Sequence, residues 1–177
     1  MKTTLQKRLD EIDAPDDVKA LAAELAEQAQ HDPLTGLYNR RFFDESLHQN
    51  IEMARRYSRE LSLVLFDLDR LKQINDAQGH EAGDTALKTF ADMLKKTARA
   101  ADLVCRIGGD EFAVILPETD LSKVCKFTDR FFQTLKSTES ELGVSASVGV
   151  AALPSDNLFA SADAELLAAK RRRENSI

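Results

Sequence analysis

Residues 61–66 read LSLVLF, and Asp67, Leu68 and Asp69 follow directly. A short, uninterrupted apolar run predicts a strand in the middle of a sheet. Because side chains alternate along a strand, Asp67 and Asp69 are expected on one face, just beyond a buried stretch. Two such carboxylates are costly to desolvate without a partner, and a cation that prefers oxygen ligands, Mg²⁺ or Mn²⁺, would offset that cost. Taken alone, however, the pair is more typical of a strand that simply ends in water.

On both sides of this strand, apolar runs alternate with helical patterns. Residues 103–107 and 112–116 are joined by Gly108-Gly109-Asp110-Glu111, which predicts a β-hairpin whose glycines supply the positive φ angles of a tight turn. Helical spacing predicts one helix before the hairpin and another after it, and a strand at 144–151 and a helix at 160–173 complete the pattern. This order predicts an α/β (α+β) sandwich, in which helices flank a mainly antiparallel central sheet.

The hairpin turn carries two further acids, Asp110 and Glu111. The strand after the turn is expected to lie beside residues 61–66, so four carboxylates could converge at one end of the sheet. A solvated hairpin tip is nevertheless the commoner use of Gly and Asp together.

A third polar cluster follows the first strand. Asn75 and Asp84 have the functional groups to bind the edge of a guanine base, since a carboxylate accepts from its N–H groups and an amide both donates and accepts. Lys72 could neutralise phosphate oxygens. The alternative is that Asn75 and Asp84 are helix caps, because residues 84–90 (DTALKTF) look like the start of a helix.

The 177 residues suffice for one domain, which we expect at 31–177, preceded by a helical leader at 1–30. Apolar residues recur in that leader at helical spacing on both sides of Pro15, at Leu5, Leu9, Ile12, Val18, Leu21 and Leu25. The leader is expected either to pair with a second copy of itself or to pack on its own domain.

Composition limits the classes of function. The chain is 43% hydrophobic and 31% charged, with no apolar run long enough to cross a membrane and no secretory pattern at its start, so we expect a soluble protein of the cytoplasm without membrane contact. A net charge of −6 argues against a general nucleic-acid surface. Cys105 and Cys125 are expected to be small buried residues.

Five ordered motifs resemble those of the GGDEF-domain diguanylate cyclases: DPLTGLYNR at 32–40, DLDRLKQIND at 67–76, GHEAGD at 79–84, RIGGDEF at 106–112 and SVGVA at 147–151. The resemblance covers about 31–175. It implies a palm-like nucleotide-cyclase fold in which two GTP molecules are condensed into cyclic di-GMP and pyrophosphate by in-line attack of a 3′-oxygen on an α-phosphorus. Because each domain would hold one GTP, the resemblance also implies a two-fold homodimer during catalysis.

The resemblance assigns roles residue by residue. Mg²⁺ (or Mn²⁺) would be held by Asp67, Asp110 and the Leu68 carbonyl, and Glu111 would assist the 3′-hydroxyl as a metal ligand or proton acceptor. The remaining positions would bind GTP: Asn75 and Asp84 at the guanine, Lys72, Lys170 and the backbone of Arg70 and Leu71 at the phosphates, and His80 as a further contact.

A regulatory site is also implied. Arg99 and Asp102 stand at the R-x-x-D inhibitory position of the family, and Arg130 falls where a second arginine can occur, so cyclic di-GMP is expected to bind there and inhibit. A plain salt bridge between Arg99 and Asp102 is the alternative.

Three positions depart from the family pattern: Leu71 replaces a frequent phenylalanine, Leu167 replaces a tyrosine, and Glu174 stands where an arginine that binds phosphate is usual. The change at Leu71 is expected to be tolerated, because it keeps an apolar side chain. Lys170 is retained and Arg173 could substitute for the missing arginine. A cyclase is therefore the main prediction. The alternatives are a non-catalytic receptor for cyclic di-GMP that binds GTP for signalling, and a dimerisation module built on the leader. The leader also resembles the end of a longer signalling helix, which would connect to an upstream sensor domain.

Overall fold

The computed structural model describes residues 15–142 and 144–175. Leu5, Leu9 and Ile12 of the predicted leader lie outside the described residues, and so does the side chain of Glu174. Within the described part the elements are α1 (Asp16–Gln28), α2 (Arg40–Tyr57), β1 (Leu61–Asp69), α3 (Leu71–Gln78), α4 (His80–Thr97), β2 (Leu103–Arg106), β3 (Glu111–Pro117), α5 (Leu121–Leu142), β4 (Ser145–Ala152) and α6 (Leu158–Glu174).

The strands form one sheet in the order β2-β3-β1-β4, and every neighbouring pair is antiparallel. The strand predicted from LSLVLF is therefore central, flanked by β3 and β4. Helices lie on both sides of the sheet, which confirms the predicted α+β sandwich. None of the helices in the described ranges is both long and apolar enough to span a membrane.

Alternation along β1 divides the core into two layers. Val64, Phe66 and Leu68 pack in the layer formed with α4 and α5, whereas Leu63 and Leu65 pack in the layer formed with α2 and α6. Asp67 continues the second set, because it is two residues beyond Leu65. The fold therefore places this acid on the α6 side of the sheet.

Helix α6 lies very close to β4. A Cβ atom added at Gly149 would lie 2.1 Å from the Ala162 carbonyl oxygen and 2.4 Å from the Leu166 nitrogen. Since both neighbours are backbone atoms, only glycine allows the helix to approach the strand this closely. The contact fixes the position of the helix that carries Lys170.

Helix α4 begins earlier than expected. Its first residue is His80, and Gly79, with φ of 86°, precedes it. Asp84 therefore lies inside the helix, and the interpretation of Asp84 as an N-cap is wrong. The exposed Asp84 side chain stays available for another role.

The hairpin also differs in detail from the prediction. Glu111 is the first residue of β3 and not part of the turn. Gly108 and Gly109 do not have positive φ angles, so the prediction that they supply such angles in the turn is wrong. At Gly108 an added Cβ would instead lie 2.4 Å from Glu111 Oε2, so the glycine leaves room for the Glu111 side chain.

Helix α1 keeps its apolar face in solvent. Val18, Leu21 and Leu25 are between 50% and 59% exposed, so this part of the leader does not pack on its own domain. Cys105 is buried as predicted, but Cys125 is exposed, because it lies on the solvent side of α5. The prediction for Cys125 is therefore wrong.

Candidate active site

Asp67 is the most enclosed acid at the end of β1. It is 7% exposed, and Lys170 Nζ donates a hydrogen bond of 2.5 Å to its Oδ2 atom. Burial raises the pKa of Asp67; the bond and charge of Lys170 act against this, and the negative charges of Asp110 and Asp69 add to the increase. Asp67 therefore lies in a field of like charges that one lysine only partly neutralises.

The antiparallel register brings the two acids of the hairpin to the same place. Asp67 is directly opposite Glu111 in the β1–β3 pair, and the Leu68 amide donates to the Asp110 carbonyl at 2.9 Å. Burial lowers the pKa of Lys170, but the hydrogen bond and charge of Asp67 and the charges of Asp110 and Glu111 outweigh burial, so the net change is an increase. Three carboxylates thus act on one ammonium group.

Asp69 has partners of its own. Arg173 donates to Asp69 Oδ2 and to the Ser145 hydroxyl, and the Ser147 hydroxyl donates to Asp69 Oδ1 at 2.9 Å. Sequence reasoning missed the two serines. Their signal was the alternation of β4, which sets Ser147 opposite Asp67 and Ser145 opposite Asp69.

The groups at this end of the sheet suit a hard divalent cation. The predicted donors are the carboxylates of Asp67 and Asp110 and the Leu68 carbonyl, all oxygen ligands of the kind that Mg²⁺ and Mn²⁺ prefer. Across residues 15–142 and 144–175, no three Asp, Glu, His or Cys side chains lie close enough to chelate an ion by themselves.

The predicted guanine pair lies at the junction of α3 and α4. The Asn75 Oδ1 atom is buried and has no hydrogen-bond partner among the described residues, which is unfavourable unless a ligand supplies one. A Cβ at Gly83 would lie only 2.0 Å from that atom. Gly83 therefore makes the space that the Asn75 amide occupies, one position before the exposed Asp84.

The predicted phosphate contacts surround the start of α3. Arg70 has φ of 65° and precedes the helix, and Leu71 is its first residue and packs on the core. The Lys72 side chain is exposed one position later, and His80 is exposed at the start of α4. The turn at Arg70 places the N-terminus of α3 directly after the end of β1, and the first N–H groups of a helix have no partner within the helix.

A partly buried ion pair connects the first motif to the hairpin turn. Arg106 NH1 donates to Asp32 Oδ1 at 3.0 Å, and Arg106 NH2 donates to the Gly109 carbonyl at 2.7 Å. Burial raises the pKa of Asp32, but hydrogen bonds from Thr35 and from Arg106 outweigh it and hold the pKa below its usual range. Arg106 therefore fixes the residue immediately before Asp110.

Arg99, Asp102 and Arg130 line one cavity of about 260 Å³, together with Lys123 and Lys126. Asp102 Oδ2 accepts from the backbone N–H of Arg99 at 2.7 Å, so this carboxylate stabilises a turn. Arg130 donates to the Thr97 carbonyl at 2.6 Å.

Burial raises the pKa of Asp102 against the opposing effects of the Arg99 amide and the two guanidinium charges. The three predicted residues thus share a basic cavity away from the carboxylates. Another cavity, of about 570 Å³, lies at the opposite end of β1 and is lined by none of the predicted site residues.

Comparison with known proteins gives consistent results. Residues 29–176 match the family model described as the diguanylate cyclase GGDEF domain. The chain is 35% identical over 158 residues to the diguanylate cyclase DgcS of Shewanella oneidensis, with 86% of this chain and 53% of that protein covered. It spans between 24% and 53% of the first curated relatives that it matches.

Two solved structures are also similar. The GGDEF domain of TpbB from Pseudomonas aeruginosa has a TM-score of 0.75 and 36% identity, covering 80% of this chain and 89% of that one. The coiled coil and GGDEF domain of DgcB from Caulobacter crescentus, in complex with c-di-GMP, has a TM-score of 0.82 and 27% identity, covering 88% of each chain. These matches confirm the resemblance carried by the five motifs, and the chain belongs to the GGDEF-domain family of diguanylate cyclases.

Proposed function

We propose that this domain is a diguanylate cyclase that condenses two GTP molecules into cyclic di-GMP and pyrophosphate. The observation that carries the proposal is the set of acids that the sheet brings together at the end of β1: Asp67 accepts from Lys170, Glu111 lies directly opposite Asp67, and the Asp110 carbonyl accepts from the Leu68 amide. Family membership supports the same activity.

Binding of the nucleotide would use two separate parts of the chain. The Asn75 amide, whose buried oxygen lacks a partner within the part of the chain that the structure describes, and the Asp84 carboxylate would pair with the donors and acceptors of guanine. Lys72 and the N-terminal N–H groups of α3 would hold phosphate oxygens. Lys170 would join them by exchanging its hydrogen bond to Asp67 for one to the triphosphate.

The chemical step would take place at the end of β1. Mg²⁺ or Mn²⁺, held by Asp67, Asp110 and the Leu68 carbonyl, would supply Lewis-acid chemistry that lowers the pKa of the 3′-hydroxyl and stabilises charge on the leaving pyrophosphate. Glu111, opposite Asp67, would accept the proton of that hydroxyl or orient it. Lys72 would offset negative charge that develops on the leaving group.

Catalysis would require two copies of the chain facing each other, because one domain with one GTP supplies only half of the cyclic product. The exposed stripe of Val18, Leu21 and Leu25 on α1 supports a leader that brings two copies together. The division into a leader at 1–30 and a catalytic domain at 31–177 is part of this proposal, as is control by an upstream sensor domain. We place the reaction in the cytoplasm, where free thiols such as Cys105 and Cys125 persist.

The test is turnover. The protein at high concentration would be incubated with GTP and Mg²⁺, and the nucleotides would be separated by chromatography beside a known cyclase. We expect cyclic di-GMP from the wild type and none from Asp110→Asn, which keeps the size of the side chain but removes its charge. Absence of cyclic di-GMP from the wild type, while the known cyclase works, would refute the proposal.

A second candidate function is a receptor that binds cyclic di-GMP without making it. The specific observation is that Lys170 and Arg173 pair with Asp67 and Asp69, which would oppose metal binding if these pairs were permanent. The basic cavity of Arg99, Asp102 and Arg130 would then be the functional site, or the inhibitory site if the domain is a cyclase.

Calorimetry combined with turnover separates these candidates. In a cyclase with an inhibitory site, Arg99→Ala abolishes binding of cyclic di-GMP and leaves turnover intact. Asp110→Ala abolishes turnover and leaves binding of cyclic di-GMP unchanged. A receptor binds cyclic di-GMP through Arg99 but shows no turnover in the wild type.

A further inference from the structure

We propose that Arg173 is a positioning residue, which holds the last turns of α6 against the ends of β1 and β4 and thereby sets the place of the Lys170 ammonium. The inference rests on the proposed function, in which Lys170 binds the triphosphate of GTP. It assigns Arg173 a role other than direct contact with phosphate.

The closely packed apolar contact between α6 and the sheet lies before Lys170 and Arg173 in the helix. Ala162 and Leu166 are buried against β4, where Gly149 permits very close contact. The next residue, Leu167, is 46% exposed. Beyond that point Ala168 and Ala169 are only half-buried, and the side-chain hydrogen bonds described between α6 and the strands are those of Lys170 and Arg173. These hydrogen bonds therefore help to hold the end of the helix.

Arg173 supplies such bonds to two strands at once. Its guanidinium group donates to the Asp69 carboxylate at the end of β1 and to the Ser145 hydroxyl at the start of β4. A planar guanidinium fork with two partners fixes orientation better than a flexible ammonium does. The Ser147 hydroxyl holds the other oxygen of Asp69 at 2.9 Å, so the acceptor is itself fixed.

Lys170 lies one helical turn before Arg173, so both side chains leave the same face of α6. The Lys170 side chain is 34% exposed, whereas the Asp67 side chain that it contacts is 10% exposed. A long, flexible side chain keeps such a contact only if its backbone is held in place. When the end of the helix is released, we expect Lys170 to spend less time beside the carboxylates.

The consequence is specific. Arg173 contacts Asp69, which is not among the predicted metal ligands, so its removal should weaken nucleotide binding and leave the chemical step largely unchanged. In kinetic terms, KM for GTP should rise while kcat stays nearly constant. Direct phosphate binding by Arg173 would produce the same KM change, so a second measurement is needed.

The first experiment is steady-state kinetics with GTP and Mg²⁺. We expect Arg173→Ala and Asp69→Asn each to raise KM about tenfold with kcat within about twofold. Because both substitutions remove the same contact, KM of the double variant should be no higher than that of the more impaired single variant. Arg173→Lys should recover part of the loss. Arg171→Ala, which removes the same charge from an exposed position of α6, is the matched control and should leave KM unchanged.

The second experiment does not depend on activity. Limited acylation of lysine amines, read by mass spectrometry, compares Lys170 with the exposed reference Lys88 in the same chain. Arg173→Ala and Asp69→Asn should raise the relative reactivity of Lys170 several-fold, because its ion pair opens more often, and Arg171→Ala should not. Thermal unfolding followed by circular dichroism establishes that each variant is folded.

Two results would overturn the inference. One is an unchanged reactivity of Lys170 in folded Arg173→Ala, since the ammonium would then be held without the arginine. The other is a KM increase in Arg173→Ala that Asp69→Asn does not reproduce, since Arg173 would then act on the nucleotide itself. If the wild type shows no turnover, the proposed function fails, and the acylation ratio still decides the role of Arg173.

Discussion

Substitution of Gly83 by alanine tests how the guanine end of the site is built. The position lies within α4, and an added Cβ atom would be 2.0 Å from Asn75 Oδ1 and 2.9 Å from Asn75 Cγ. The atoms in the way belong to the end of one side chain, so the Asn75 amide must rotate while the helix stays in place. We therefore expect Gly83→Ala to fold normally and to bind GTP poorly.

The substitution should change stability and GTP affinity in opposite directions, so the two effects can be measured separately. Alanine in place of glycine favours a helix by about 1 kcal/mol, so the free energy of unfolding should stay constant or rise by up to that amount. Loss of two hydrogen bonds between Asn75 and guanine, at about 0.5–1.5 kcal/mol each, lowers GTP affinity by roughly 5- to 150-fold. Affinity should thus fall in a protein that is at least as stable as the wild type.

The assay combines urea unfolding with calorimetric titration of GTP and ATP. Besides the single variant, Asn75→Ala and the Gly83→Ala/Asn75→Ala double variant are required. The double variant should bind GTP no more weakly than Asn75→Ala, because the added Cβ at position 83 has nothing to clash with once the Asn75 amide is removed. Unchanged GTP affinity in folded Gly83→Ala, or a preference for GTP over ATP equal to that of the wild type, would refute the reasoning.

The remaining predictions concern stability and thiol chemistry. Asp32→Asn should lower the free energy of unfolding at pH 7 by about 1–3 kcal/mol. The folded pKa of Asp32 is below the ordinary 3.8, so the difference in free energy of unfolding between the wild type and Asp32→Asn should persist above that pH and shrink as pH falls below it. Urea unfolding at several pH values measures this difference, and a difference that is independent of pH would contradict the prediction. Gly149→Ala should destabilise the fold by about 1–3 kcal/mol or more, since its Cβ would meet backbone atoms. Gly109→Ala is the matched control, because an added Cβ there has open space around it. Equal melting temperatures of the two variants would contradict the prediction. A thiol reagent should label exposed Cys125 rapidly and Cys105 only on unfolding, because Cys105 is buried and burial raises its pKa far above the ordinary thiol value; two equally fast thiols would disprove this.

The fold and the end of the sheet that carries the acids could be predicted because their signals are local. The apolar run before Asp67 marks a central strand, and strand alternation alone sets Asp67 and Asp69 on one face. The position of the strand after the hairpin turn beside β1 was also predicted, and this β1–β3 pairing brings Glu111 opposite Asp67. These features depend on patterns within a few residues or on one strand pairing.

The partners of the acids could not be predicted in the same way. The ion pair between Lys170 and Asp67 joins residues 103 positions apart, and nothing in the sequence around Asp67 specifies it. The role of Gly83 depends on where the Asn75 side chain comes to lie, which only the packing of α3 against α4 determines. The side chain of Asp84 suits a helix N-cap, but the helix begins four residues earlier, at His80, because Gly79 precedes it with a positive φ angle.

The most direct test of the central claim is the binding of Mn²⁺ in the presence of GTP, followed by electron paramagnetic resonance of the free ion. The wild type should take up Mn²⁺ only together with GTP, and Asp67→Asn and Asp110→Asn should each lose most of this uptake while remaining folded. Equal uptake by the wild type and both variants, or GTP binding that needs no divalent cation, would contradict a site built from these two carboxylates.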